Sequence, residues 1–280
     1  DGFCITGGYA DNTGGNGYVK YGAGWLNRGV NGLESSPIIR NCTFTGNETG
    51  TAQGGNFGGG AFASWADGGS TNPILINCIM HNNKALRGGA IRTHSGGVYT
   101  CNWSLVNSIL SGNLATCSSL NTDEGGGGIF NSGSNTSLQM INTVLSGNHV
   151  TAPRQGGALY NNNSVSPKPT ATLTNCIVWD NAVAGNYTYF NLGASGIDVS
   201  YSIIGPTATI MYPGNGTPST GSFNDVAANK IGVNPLFVSA PAGSAAPTAL
   251  GDFHVLSTSP AINMGSNGAV TVNTDLEGQV

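Results

Sequence analysis

Five segments of this chain repeat one form: NCTFTGN (41–47), NCIMHNN (77–83), NSILSGN (107–113), NTVLSGN (142–148) and NCIVWDN (175–181). Each reads Asn, then Cys, Ser or Thr, any residue, an aliphatic residue or Phe, two residues, and Asn again. Their first asparagines lie 36, 30, 35 and 33 residues apart, and a degenerate sixth segment, YSIIG, starts at Tyr201. A second motif alternates with the first: GGGAF (58–62), GGAI (88–91), GGGIF (126–130) and GGAL (156–159). GAGWL (22–26) reads as an earlier copy of it, and DGFCITGG (1–8) as the end of a preceding first motif. Insertions such as TAQGGNFGG and ATCSSLNTDEGG fall between the motifs, where loops on a repetitive scaffold grow.

A repeat of this length, built only of short apolar clusters bounded by Gly, Asn and Ser, reads as strands and turns with no sustained helical spacing. It fits an all-β fold, one coil per repeat of a right-handed parallel β-helix, a solenoid with inserted loops. Successive coils stack at about 4.8 Å, so equivalent residues form columns along the axis. Three interior columns are expected: Ile39, Leu75, Leu105, Met140 and Leu173; Phe44, Met80, Leu110, Leu145 and Val178; and, at a corner, Cys42, Cys78, Ser108, Thr143 and Cys176. The asparagines suit tight corners because Asn tolerates the left-handed backbone conformation, and stacked amides can satisfy one another. Coils are expected over residues 1–204. Residues 205–280 lose the clear repeat and are expected to form irregular loops and final coils that cap the same domain.

Only 8% of the residues are charged, with 9 Lys plus Arg against 13 Asp plus Glu for a net −4. That surface excludes nucleic acid, which needs a basic stripe. No apolar run approaches the roughly 20 residues of a membrane span. The alternating GGA[IL] and FTGN-type motifs resemble the repeats of chlamydial polymorphic outer-membrane proteins over roughly residues 20–185, most closely at 88–91 and 44–47. DGFCITGG together with NPLFV…GDFHVLSTSPAINMGSN…TDLEGQ is similar to secreted surface β-helix proteins of Bacteroidetes-type bacteria. Both resemblances imply an extracellular or bacterial cell-surface location, and the first implies adhesion.

Catalytic signals are sparse. Asn121-Thr122-Asp123 and Asn273-Thr274-Asp275 match one tripeptide of polygalacturonase-like enzymes, but the Asp-Asp, Gly-His-Gly and Arg-x-Lys motifs that accompany it there are absent. The four histidines have no zinc-ligand spacing, so no catalytic or metal site is expected. Ca²⁺ is the one ion the loops offer ligands for, through Asp11 in DNTGGNG and through Asp123 and Glu124. Cys101 and Cys117 flank one strand and are the disulfide candidates; Cys42, Cys78 and Cys176 are expected to stay free inside.

Two surface features invite binding. RGGAIRTHSGG (87–97) places Arg92 and His94 in the slots held elsewhere by Ala63, Asn131 and Tyr160, and by Trp65, Gly133 and Asn162, which are expected to face outward. A groove of Trp25, Trp65, Arg92 and Tyr160, with His94 beside it, would suit a polysaccharide. The second feature is the position between the corner column and the aliphatic column: Thr43, Ile79, Ile109, Val144, Ile177 and Ile203. Alternation points this row outward, and an aliphatic row several coils long is an interaction patch; coverage by protein, in cis or in trans, is favoured over a ligand. The expected function is a non-catalytic adhesin or structural stalk whose partners are other surface proteins, host or matrix glycans, or copies of itself. The alternatives are a carbohydrate-active β-helix, binding or cleaving a polysaccharide, and a self-assembling extracellular fibre subunit.

Overall fold

A computed structural model describes residues 1–11, 17–50, 57–117, 124–151, 156–162, 169–183, 190–191, 195–205 and 222–279. The chain is a parallel β-helix. Four parallel sheets run along its length, and each coil contributes one short strand to each sheet in turn. The coil containing the first repeat shows the order: Ile38–Arg40 in the fourth sheet, Thr43–Thr45 in the first, Glu48–Thr49 in the second and Phe62–Ala66 in the third. The expected columns are in register. Ile39, Leu75, Leu105, Met140 and Leu173 pair in succession in the fourth sheet. Phe44, Met80, Leu110, Leu145 and Val178 do so in the first, extended by Ile5 before them and Ile204 after. All ten expected members lie in one continuous apolar core.

The corners follow from backbone chemistry. Asn41, Asn77, Asn107, Asn142 and Asn175 all have φ between 50° and 56°, turning the chain from the fourth sheet into the first; Asn is the side chain that tolerates this best. Their amides form an outer column in which Asn77 Nδ2 donates to Asn41 Oδ1 (3.1 Å), Asn107 to Asn77 (2.7 Å) and Asn175 to Asn142 (3.0 Å). At the next corner the second asparagine of each segment turns inward. Asn47, Asn83, Asn113, Asn148 and Asn181 are buried, and the Nδ2 of each of the first four donates to Oδ1 of the next rung at 2.8–3.1 Å. The second amide hydrogen goes to a main-chain carbonyl of the coil before: Ile5, Phe44, Met80, Leu110 and Leu145 O in turn. Each Oδ1 of the inner rungs also accepts the backbone N–H of the previous asparagine, so no amide group there is left without a partner. In the second motif the first glycine of the pair turns the corner into the third sheet. At Gly88, with φ 62°, a Cβ would lie 1.9 Å from the Ile91 carbonyl oxygen, so no side chain fits.

Beyond the repeats, Ser222–Ala227 and Lys230–Ile231 add one more rung to the fourth and first sheets. From Pro235 onward the chain turns back along the flank of the coils. Thr248 N–H donates to Gly112 O (2.9 Å) at the corner between the first and second sheets. A short antiparallel hairpin, Phe237–Ser239 with Asp252–Val255, reverses the direction. The last stretch runs beside the outer asparagine column: Ser266 exchanges two hydrogen bonds with the Asn175 amide (2.8 and 3.0 Å), and Thr274 O accepts from Asn107 Nδ2 (3.2 Å). Residues 235–279 thus form a strap over the outward face of the first sheet.

Candidate functional site

The outward slots of the third sheet carry the side chains that the sequence singled out. One column reads Leu26, Ala63, Arg92, Phe130 and Tyr160; the other reads Arg28, Trp65, His94 and Ser132. Arg92, His94, Trp65 and Tyr160 share these slots as expected, but the GGGIF copy aligns one residue earlier: Phe130 and Ser132, not Asn131 and Gly133, pair with Arg92 and His94. The exposure of the face is not as expected. Arg92, Trp65, Phe130 and Tyr160 are buried, because Tyr21 and the chain around Gly58 pack over this face. At Gly58 a Cβ would come within 2.3 Å of Arg92 Cδ, so the covering loop has room for Arg92 only as glycine.

Within this face the aromatic rings stack from coil to coil. Tyr21 lies on Trp65 with centroids 4.0 Å apart, Trp65 on His94 at 4.2 Å, and Phe130 on Tyr160 at 5.1 Å. The Arg92 guanidinium sits 5.0 Å from the Tyr21 ring, 4.8 Å from Trp65 and 5.7 Å from Phe130, within reach of cation–π attraction to all three. Burial and the neighbouring Arg87 push the Arg92 pKa down to about 9, against the pull of Tyr21 and Glu124. Burial beside Arg92 holds His94 down to about 4, a neutral imidazole at physiological pH. Arg87 and Glu124 face each other at 3.9 Å, both buried. This pair escaped the sequence reading, although each residue directly precedes a glycine run of the second motif. Nearer the surface, Asp67 accepts from the Tyr18 hydroxyl (2.6 Å) and Arg28 Nε (3.4 Å).

Other candidates fall elsewhere. Trp25 does not join Trp65, Arg92 and Tyr160 in a groove. It pairs in register with Phe62 in the third sheet, beginning the interior column that Ile91 and Ile129 continue, and is 41% exposed at the end of that column. Glu124 is not a loop ligand open to Ca²⁺ but part of the buried pair; Asp123 lies outside the described residues, and Asp11 is half-buried. Among the described residues no group of three His, Cys, Asp or Glu could hold a metal ion. Cys101 and Cys117 are unbridged. Cys101 opens the strand Cys101–Val106 facing inward, where its thiol meets Ser64 O, whereas Cys117 packs with Ala115 and Val150.

The outward row of the first sheet is not an open patch. Thr43, Ile79, Ile109, Val144 and Ile177 are half-buried and Ile203 is buried. The strap lies against the row, with Phe253 and Leu276 facing Ile79, Ile109 and Val144, and Ala261 and Met264 facing Ile177 and Ile203. The strap carries its own ionic clasp. His254 Nδ1 meets Asp252 Oδ1 at 2.6 Å, and His254 Nε2 meets Glu277 Oε1 at 2.8 Å, joining the hairpin to the last residues. The hydrogen bond to Asp252 and the charge of Glu277 raise the His254 pKa, and the bonds from His254 lower that of Asp252. No family model, curated protein or solved structure matches the chain. No helix in the described residues is long and apolar enough to cross a membrane.

Proposed function

We propose that this chain is a rod-forming segment of a secreted or cell-surface bacterial β-helix protein, working as an adhesin or structural stalk and not as a catalyst. The observation that carries this reading is the inner asparagine column, which ties five successive coils through buried, fully partnered amides. At each coil–coil contact the asparagine bond shares the load with the backbone ladders of the sheets, which supports resistance to extension, as a stalk requires. The likeness of the repeats to chlamydial polymorphic outer-membrane proteins and to Bacteroidetes-type surface proteins supports the location and the adhesive role. Contacts would be made to surface proteins, to host or matrix glycans, or to copies of the chain through its loops.

Single-molecule pulling tests the stalk. Stepwise release of coils at high force supports it; one soft, all-at-once extension sinks it, as does turnover of any member of a polysaccharide panel by the purified chain. One observation favours a second reading, a stacking fibre subunit. Trp25 ends an interior column while exposed, and Cys4–Thr6 and Ile38–Arg40 are the end strands of their sheets among the described residues. Light scattering that stays monomeric at high protein concentration removes it.

A further inference from the structure

The strap covers the outward row incompletely. Between it and the first sheet lies a cleft of about 650 Å³, within the range of small-ligand and peptide sites. Its floor is Ile79, Ile109 and Val144, consecutive rungs of one column, and its walls include Phe253 and Leu276. The mouth has the opposite character. Asp252, Asp275 and Glu277 line it, His254 is the single basic group there, and no lysine or arginine is among the lining residues. Each carboxylate uses one oxygen within the strap: Asp252 Oδ1 and Glu277 Oε1 on His254, and Asp275 Oδ1 on the N–H groups of Glu277 and Gln279. The other oxygen of each accepts no hydrogen bond from any described residue, and a carboxylate has room for about four.

The wall supplies a third element. The outer asparagine column is interrupted here. Asn142 Oδ1 accepts from Asn175 (3.0 Å), but Asn142 Nδ2 donates to no described residue, while Asn77 and Asn107 each pass a hydrogen bond to the rung before. An amide donor beside an apolar floor and an anionic mouth is complementary to three things at once: a carbonyl, an aliphatic body and a cation. Lysine and arginine side chains unite the last two, with an apolar stem and a charged head, and a peptide bond supplies the first.

We propose that this cleft binds a short extended peptide segment of a partner protein, a lysine or arginine flanked by aliphatic residues. The aliphatic side chains lie on Ile79, Ile109 and Val144, the cation reaches the free oxygens of Asp252, Asp275 and Glu277, and a peptide carbonyl accepts from Asn142 Nδ2. This goes beyond the stalk reading, since a rod bears load with the cleft empty.

The test is a calorimetric titration of the full 280-residue chain with Ac-Leu-Arg-Leu-NH2, Ac-Leu-Glu-Leu-NH2 and Ac-Ser-Arg-Ser-NH2, with amide chemical shifts followed in parallel. The expected result is saturable binding of the first peptide, at least about tenfold tighter than either of the others, with shifts at Ile79, Ile109, Asn142 and Val144. Val144→Lys, which places a tethered ammonium in the cleft, abolishes binding. Asp275→Asn, which keeps the acceptor for Glu277 and Gln279 N–H, weakens it several-fold and guards against misfolding of the first variant. Equal binding of the Arg and Glu peptides, absence of saturation, shifts confined to another face, or arginine ethyl ester binding as tightly as the tripeptide would each overturn the proposal.

Discussion

Asn113 gives one amide hydrogen to Asn148 Oδ1 at 2.8 Å and the other to the Met80 carbonyl at 2.9 Å, with its side chain fully buried. Its own Oδ1 takes two hydrogen bonds from Asn83, so one side chain holds three coils. Replacing it by Ala orphans several buried groups at once, each costing about 1–3 kcal/mol. Asn113→Ala is expected to lose roughly 4 kcal/mol in denaturant titration. Asn47→Ala, on the first rung, costs less.

Gly88 and Gly97 separate backbone conformation from space. Both have positive φ, but a Cβ on Gly97 meets nothing within 4 Å. Gly97→Ala is expected to cost about 1 kcal/mol for the left-handed conformation alone. Gly88→Ala adds the collision with Ile91 O and costs several times as much, read as a drop in denaturation midpoint.

His94 predicts an acid slope. Its folded pKa is depressed to about 4, so between there and the ordinary histidine value near 6.5 the unfolded chain binds a proton that the folded chain does not. Stability therefore rises with pH across that window and falls on acidification. Burial of His81 and His149 adds in the same direction. His94→Gln flattens the profile of unfolding free energy against pH, and the His94 ring resonances stay neutral until about pH 4.

The strap clasp has the opposite sign. His254 has a raised pKa, so its contribution is complete below the ordinary histidine value and fades as the pH rises through the folded one. Asp252, lowered, withdraws its part only as the pH falls through its folded value. Amide exchange over residues 275–279, corrected for the intrinsic pH effect, is expected to be slower at pH 6 than at pH 8, and His254→Ala abolishes the difference. The groups are exposed, so the effect on global stability is small.

Thiol reactivity separates one cysteine from five. Cys4 is exposed, and Cys42, Cys78, Cys101, Cys117 and Cys176 are buried. Burial pushes the Cys78 thiol up to about 11 and Cys176 to about 12, far from the reactive thiolate. A thiol reagent is expected to label one cysteine in the folded protein and all six in denaturant.

The columns were legible because each interior position recurs at coil spacing, and a period of this kind leaves one arrangement that buries every Leu, Ile and Met together. Trp25 was legible by the same rule, since GAGWL aligns it with Phe62 and Ile91, and its exposure comes from standing at the end of that column. The direction of Arg92 and His94 followed from alternation, but their burial did not. It depends on Tyr21 and Gly58 in non-repeating loops, which periodicity does not reach. The strap was hidden for the same reason. Ser266 and Asn175 meet across 91 residues of sequence, and nothing in SAPAGSAAPTALGD announces which flank it will lie on.

The two asparagine columns donate in opposite senses. Along the inner column each Nδ2 points to the rung that follows, from Asn47 through to Asn181; along the outer column it points to the rung before, from Asn77 back to Asn41. A stack of aligned amides polarises its members and strengthens with length, but it also accumulates a dipole. Here one stack runs against the other, so the two dipoles oppose, but the outer stack is broken between Asn107 and Asn142 and offsets the inner one only in part. As coils are added, the growing inner dipole is opposed by a second column instead of accumulating alone.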